Sequence, residues 1–187
     1  MLTEKIILAS RSPRRAEILS AVGWEFEAIA ADIDETRRES EDAVSYVRRL
    51  AQTKAETVAN RTSAPLVLGA DTVVVIDGEI LGQPRDDEDA RRMLQLLSGK
   101  WHEVFTGVAL VRAGSPPEVL TDFAATRVRF AAMSEDEINW YVATGEPRGK
   151  AGAYAIQGKG ALFIKEIAGD YFNVVGLPVR LVYKLAG

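Results

Sequence analysis

The chain has 187 residues, 47% hydrophobic and 27% charged, and 23 Lys plus Arg against 27 Asp plus Glu leave a formal net charge of −4 with the one His neutral. That length is ample for an independent hydrophobic core, and the composition is globular rather than disordered or collagen-like. With no Cys and one His, thiolate zinc sites, iron–sulfur clusters, thiol nucleophiles and multi-histidine metal sites are excluded, and a Ser-His-Asp site would have to use His102 itself.

Strand and helix patterns alternate along the chain, without a low-complexity linker or a repeat of fixed period. The apolar run Ile6 to Ala9 is too short for a signal-peptide core or a membrane span, so the expectation is a cytoplasmic protein with no membrane partner. That run predicts a strand. It feeds Ser12-Pro13, a cap residue followed by proline at the first helical position, and Ala16, Ile18, Leu19 and Val22 form an apolar stripe that stops at Gly23. A second helix is predicted from Ser40 to Asn60, where Val44, Val47, Ala51, Ala55 and Val58 recur at spacings of three and four. Two apolar strands then flank an expected break at Gly69-Ala70-Asp71, and Asp77-Gly78 signals a hairpin.

Asp86 to Ser98 predicts a helix with acids in its first turn, which complement the helix dipole. His102 to Arg112 and Glu118 to Phe130 predict two long strands around the Gly114-Ser115-Pro116-Pro117 turn. Ser134 with Glu137 forms a capping box for a helix ending near Thr144. The glycine-rich stretch Gly149 to Gly176 predicts short strands, and Pro178 opens a last helix. The class is mixed α/β, a single domain over residues 1–187.

Three segments carry candidate chemistry. In Ser10-Arg11-Ser12-Pro13-Arg14-Arg15, a strand feeding a helix N-terminus aims backbone N–H groups and a partial positive charge at one point, and two guanidinium groups match phosphate oxygens. The plainer alternative is a solvated basic first turn. In Gly69-Ala70-Asp71-Thr72, a carboxylate at the end of a buried strand suits a divalent cation or a proton taken from water, whereas a turn aspartate bonding its own backbone is the commoner use. The tail from Gly149 to Gly176 imitates a P-loop, but five residues separate Gly152 from Gly158 and Gly160 stands where Ser or Thr is required. What survives is a backbone able to approach a ligand, with Gln157 as an amide that can read a base edge, against a set of bulges and tight turns. Among Asp32, Asp34 and Glu35, one acid is a candidate second metal ligand in an otherwise solvated charged loop. His102, beside Trp101 in an alternating strand, is expected to be structural.

These segments together resemble the Maf family of nucleotide pyrophosphatases, also called septum-formation-inhibitor-like proteins. The resemblance runs from Leu8-Ala9-Ser10-Arg11-Ser12-Pro13-Arg14-Arg15 through Leu50-Ala51-Gln52-Thr53-Lys54-Ala55, Gly69-Ala70-Asp71-Thr72 and Thr106-Gly107-Val108-Ala109. It continues through Lys150-Ala151-Gly152-Ala153-Tyr154, Ile156-Gln157-Gly158 and Val175-Gly176-Leu177-Pro178. It implies an α/β fold like that of inosine triphosphate pyrophosphatases, elongated and two-lobed with a central cleft. It also implies a role in nucleotide metabolism, hydrolysis of a nucleoside triphosphate to monophosphate and pyrophosphate with a divalent metal, Mg, Mn or Co, and a homodimer.

By the same resemblance Asp71 is the catalytic proton acceptor, Ser10, Arg14, Arg15 and Lys54 contact phosphate, and Asp71 with Glu35 holds the metal. Arg14, Thr72 and Gln157 fall on the positions associated with base choice, in a combination similar to the branch acting on dTTP and UTP. One departure is Gly82-Gln83-Pro84, where many relatives carry lysine at the position of Gln83. Rival readings keep the reaction but change the base, to 7-methyl-GTP or to pseudo-UTP and 5-methyl-UTP, or make the chain a non-catalytic nucleic-acid-binding or division-regulating protein. The acidic total and few aromatics argue against a stable nucleic-acid partner.

Overall fold

A computed structural model describes residues 4–187. Its elements run β1 (Ile6–Leu8), α1 (Pro13–Ala21), β2 (Phe26–Ala28), α2 (Ala43–Ala59), β3 (Leu66–Ile76), β4 (Glu79–Leu81), α3 (Asp87–Leu97), β5 (Trp101–Arg112) and β6 (Glu118–Phe130). Then come α4 (Glu135–Ala143), two 3-10 turns (Ala151–Ala153 and Lys159–Phe163), β7 (Ile164–Ala168), α5 (Tyr171–Val175) and α6 (Val179–Ala186). The strands form one mixed sheet in the order β2-β1-β3-β5-β6-β7, with β4 paired to β3. Strand β1 is parallel to both β2 and β3, while β4 and β7 are antiparallel to β3 and β6.

The chain divides into two compact units. One comprises the residues up to Asp71 with Thr106–Ala124 and Gly176–Gly187; the other comprises Thr72–Phe105 with Ala125–Val175. In the first unit, Ile7, Ala9, Ala51, Ala55, Val58, Val67, Ala109 and Val111 close a core between the sheet and α2. The contact is unusually close because two strand positions lack side chains. A Cβ on Gly69 of β3 would overlap the Ala51 carbonyl oxygen, and one on Gly107 of β5 would overlap the Val47 carbonyl, so helix backbone lies directly on strand backbone.

Gly69 is therefore not the break expected from the sequence. Strand β3 continues through it for eleven residues, and Asp71 sits inside the strand rather than in a turn. The Asp77-Gly78 hairpin forms as expected, with both residues at positive φ (50° and 82°), the conformation a two-residue turn of this hand demands. The Ser134–Glu137 capping box is also present. The tail differs from expectation: it holds one strand, two 3-10 turns and a short helix, because Gly152 and Ala153 take left-handed conformations (φ 66° and 61°) that interrupt any strand there.

In the second unit, Val74, Leu94, Leu97, Val104, Val128, Ile138, Tyr141 and Phe163 build the core. His102 joins it at 3% exposure, edge-on to Phe130 and Tyr154, with Nε2 2.9 Å from the Tyr154 hydroxyl and Nδ1 without a hydrogen-bond partner. Burial lowers its pKa from 6.5 to about 4. The neutral ring is thus the native form, and stability that is complete above pH 6.5 is lost as the pH falls toward 4. Urea titrations should show a loss of about 3 kcal/mol from this residue across that window, at roughly 1.4 kcal/mol per pH unit. The variant His102→Gln should have a flatter profile there; an unchanged slope would contradict the assignment.

Candidate active site

The parallel register of β1 and β3 sets the geometry. Leu8 pairs with Leu68, so Ser10, just past the end of β1, and Asp71, three residues beyond Leu68, advance in the same direction. Ser10 thus follows the carboxyl end of β1, where α/β sheets commonly place ligands, while Asp71 lies inside β3. Helix α1 begins at Pro13 after Ser12, whose side chain makes no cap bond; instead the Ser12 N–H donates to Ser10 Oγ (3.1 Å).

Arg14 and Arg15 diverge. Arg15 is buried, donating from Nε to the Gly176 carbonyl (2.7 Å) and from Nη1 to Ser10 Oγ (3.1 Å). Burial lowers its pKa, opposed by the charges of Asp71 and Glu35. Arg15 thereby ties the Ser10 turn to the start of the C-terminal segment. Arg14 is half-buried, and burial lowers its pKa against the opposing charge of Glu17.

Lys54 occupies the apolar stripe of α2 between Leu50, Ala51, Ala55 and Val58. Its ammonium bridges two carboxylates, Asp71 Oδ1 at 2.6 Å and Glu35 Oε1 at 2.8 Å. Lys54 and Asp71 are both nearly enclosed, with side chains 10% and 11% exposed, whereas the Glu35 side chain is 52% exposed. Burial pushes the Asp71 carboxyl up, with Lys54 and Arg15 pulling the other way. An elevated carboxyl is the better proton acceptor near neutral pH.

The loop that carries Glu35 is fastened to α2. Tyr46 Oη donates to the Glu35 carbonyl (2.7 Å), Arg49 donates to Thr36 O (3.2 Å), and Arg49 makes two bonds to Glu41 (2.6 and 2.7 Å). The other loop acids are used elsewhere: Asp34 accepts from the Thr36 N–H (2.9 Å), and Asp32 pairs with Arg11. Of the three candidates, Glu35 is the one brought to Lys54 and Asp71.

Within the first unit, then, Ser10, Arg15, Lys54, Asp71 and Glu35 are linked by hydrogen bonds or by charge, and Arg14 adjoins them on α1. Thr72 and Gln157 lie in the second unit. Gln157 is exposed on the segment between the two 3-10 turns. Tyr46 and Arg49 belong to no motif in the sequence, because their role is to hold neighbours, and the Gly176 motif does not reveal that its carbonyl receives Arg15.

As a metal site, the donors are two carboxylates, Asp71 and Glu35, whose oxygens converge on one cation, the Lys54 ammonium. That fits magnesium-like chemistry, in which one or two protein carboxylates suffice and water with substrate phosphates completes the shell. Among the described residues no group of three or more His, Cys, Asp or Glu could hold a metal ion.

Residues 5–186 match the family model described as Maf-like protein. The chain is 51% identical over 182 residues to the dTTP/UTP pyrophosphatase of Syntrophus aciditrophicus (strain SB), covering 97% of this chain and 88% of that protein. It is 49% identical over 183 residues to the dTTP/UTP pyrophosphatase of Bacillus cytotoxicus, covering 97% and 94%. Among solved structures, the Staphylococcus aureus Ham1 protein aligns with a TM-score of 0.56 at 13% identity over 98% of each chain, a likeness of fold.

The geometry makes Lys54 the counter-ion of a buried carboxylate. Lys54→Met should lower the unfolding free energy by about 3 kcal/mol, because it leaves a buried charge without its partner, and adding Asp71→Asn should restore most of that loss. Equal stability of the wild type and Lys54→Met in denaturant titration would show that the pair does not carry this constraint.

Proposed function

This chain belongs to the family of Maf-like proteins, and on that footing we propose that it hydrolyses dTTP and UTP to the nucleoside monophosphate and pyrophosphate. The observation that carries the proposal is the Lys54 ammonium held by Asp71 and Glu35, beside a turn in which Arg15 fixes Ser10. A nucleoside triphosphate brings about four negative charges, and a site for it must supply cations preorganised where charge develops.

In this reading Ser10, Arg14, Arg15 and Lys54 meet the phosphate oxygens. A divalent cation (Mg, Mn or Co) bound by Asp71 and Glu35 supplies further neutralisation of the phosphate charge. Asp71 accepts a proton from a water molecule whose oxygen bonds to the α phosphorus. The bond between that phosphorus and the oxygen bridging to the β phosphorus breaks, and pyrophosphate leaves with the bridging oxygen. Arg14, Thr72 and Gln157 select the base, with the Thr72 hydroxyl and the Gln157 amide offering both donors and acceptors to a pyrimidine edge.

The family resemblance supports two further proposals, a homodimer and a cytoplasmic location. No helix among the described residues is long and apolar enough to cross a membrane.

Purified protein given dTTP, UTP, 5-methyl-UTP, pseudo-UTP and 7-methyl-GTP, with and without divalent metal, should release pyrophosphate from the pyrimidine nucleotides and require the metal. In the same assay Asp71→Asn should keep nucleotide binding and lose about 10²–10⁴-fold in kcat. Preference for 7-methyl-GTP would reject the substrate assignment, and wild-type turnover by Asp71→Asn would reject the role of the carboxylate.

A further inference from the structure

The segment around Gln157 is braced by a polar bracket that base reading alone does not account for. After α4 the chain turns at Gly145 (φ 73°) and returns Glu146 to the end of that helix, where Tyr141 Oη donates to Glu146 Oε1 at 2.8 Å. The same carboxylate accepts from the Lys159 N–H (2.9 Å) and the Gly160 N–H (3.0 Å). Tyr141 Oη in turn accepts from the Ala155 N–H at 3.1 Å. The backbone is thus held two residues before Gln157 and two and three residues after it.

Two glycines make this approach possible. A Cβ on Gly158 would lie 2.6 Å from the Glu146 carboxyl carbon, and one on Gly160 would lie 2.7 Å from Tyr141 Oη. Tyr141 is fully buried, and burial raises its phenol well above the ordinary range, which keeps it a donor. Burial acts to raise the Glu146 carboxyl, but the Lys159 and Gly160 N–H groups, the Tyr141 hydroxyl and the Lys150 charge together hold the group below its ordinary value. Ala155 and Ile156 are buried and Gln157 is exposed, so a fixed backbone presents one free-standing amide.

We propose that Glu146, acting with Tyr141, is a positioning residue for base selection, holding the turn so that the Gln157 side chain reaches the base edge from one fixed backbone position. This rests on the reading of Gln157 as a base-contacting residue. An amide carries a donor and an acceptor on one planar group, and holding the backbone on either side of it narrows the positions from which that group can meet a base. Loosening the turn weakens recognition of the correct base in the bound substrate more than it affects attack at the α phosphorus.

The test compares kcat and KM for UTP and CTP, which share the ribose and differ at the pyrimidine edge, in the wild type, Glu146→Gln, Tyr141→Phe, Gln157→Ala and the Glu146→Gln/Gln157→Ala double variant, with the melting temperature of each. In Glu146→Gln the new amide must turn an N–H toward a backbone N–H or lose one of its bonds. The expected result is a fall of about tenfold in the UTP-over-CTP ratio of kcat/KM, chiefly through KM for UTP. Gln157→Ala should lower the ratio at least as far, and the double variant no further than Gln157→Ala, because both act through one amide. Tyr141→Phe carries the same prediction should Glu146→Gln fail to fold. A wild-type ratio in Gln157→Ala overturns the reading of Gln157 and this role with it. A lowered ratio in Gln157→Ala with a wild-type ratio in a folded Glu146→Gln, or additive losses in the double variant, overturns the role of Glu146 alone.

Discussion

An ammonium group in the apolar stripe of a helix is tolerated only when its charge is answered, and in this protein the answer is two carboxylates on different elements. Lys54 on α2 reaches Asp71 on β3 and Glu35 on the preceding loop. Helix, strand and loop are thereby held to one geometry. The sheet accommodates it because Gly69 and Gly107 remove the side chains that would keep α2 away, and the loop accommodates it because Tyr46 and Arg49 fasten it to the same helix. Arg15 performs a parallel task, joining Ser10 to the Gly176 carbonyl.

This arrangement gives the net charge of −4 a local meaning. The acidic chain sets Arg15 and Lys54 against Asp71 and Glu35, with Arg14 close to Arg15 on α1. In the proposed reaction an incoming polyphosphate supplies the anions that these cations would otherwise share with the two carboxylates. A nearly enclosed aspartate whose carboxyl is raised by burial is then placed to take a proton, with Lys54 limiting how far it is raised. Chemistry of this kind needs neither thiol nor imidazole, in keeping with a chain that has no Cys and whose one His is a core residue.

Features whose cause is local were legible in the sequence. The strand–turn–helix opening, the Asp77-Gly78 hairpin and the Ser134 capping box each depend on residues within a few positions of one another, and each appears as expected. Features whose cause is tertiary were not. Gly69 looks like a strand break because an isolated strand has no use for glycine, yet its purpose is the approach of a helix eighteen residues earlier in the chain (Ala51). Strand β2 has only three residues and exists because β1 offers it an edge. The choice of Glu35 over Asp32 and Asp34 follows from partners at Tyr46 and Lys54 that no spacing rule connects. The candidate cations and Asp71 were nameable from charge, glycine context and family resemblance; that Arg15 faces inward while Arg14 stays half-exposed required the fold.

In the proposed reaction water attacks the α phosphorus of a pyrimidine nucleoside triphosphate, and the fate of the water oxygen tests this most directly. Hydrolysis of dTTP in water enriched in oxygen-18, followed by mass spectrometry of the products, should place the heavy atom in the monophosphate and leave pyrophosphate unlabelled. Label in pyrophosphate, or release of inorganic phosphate in its place, would contradict the account.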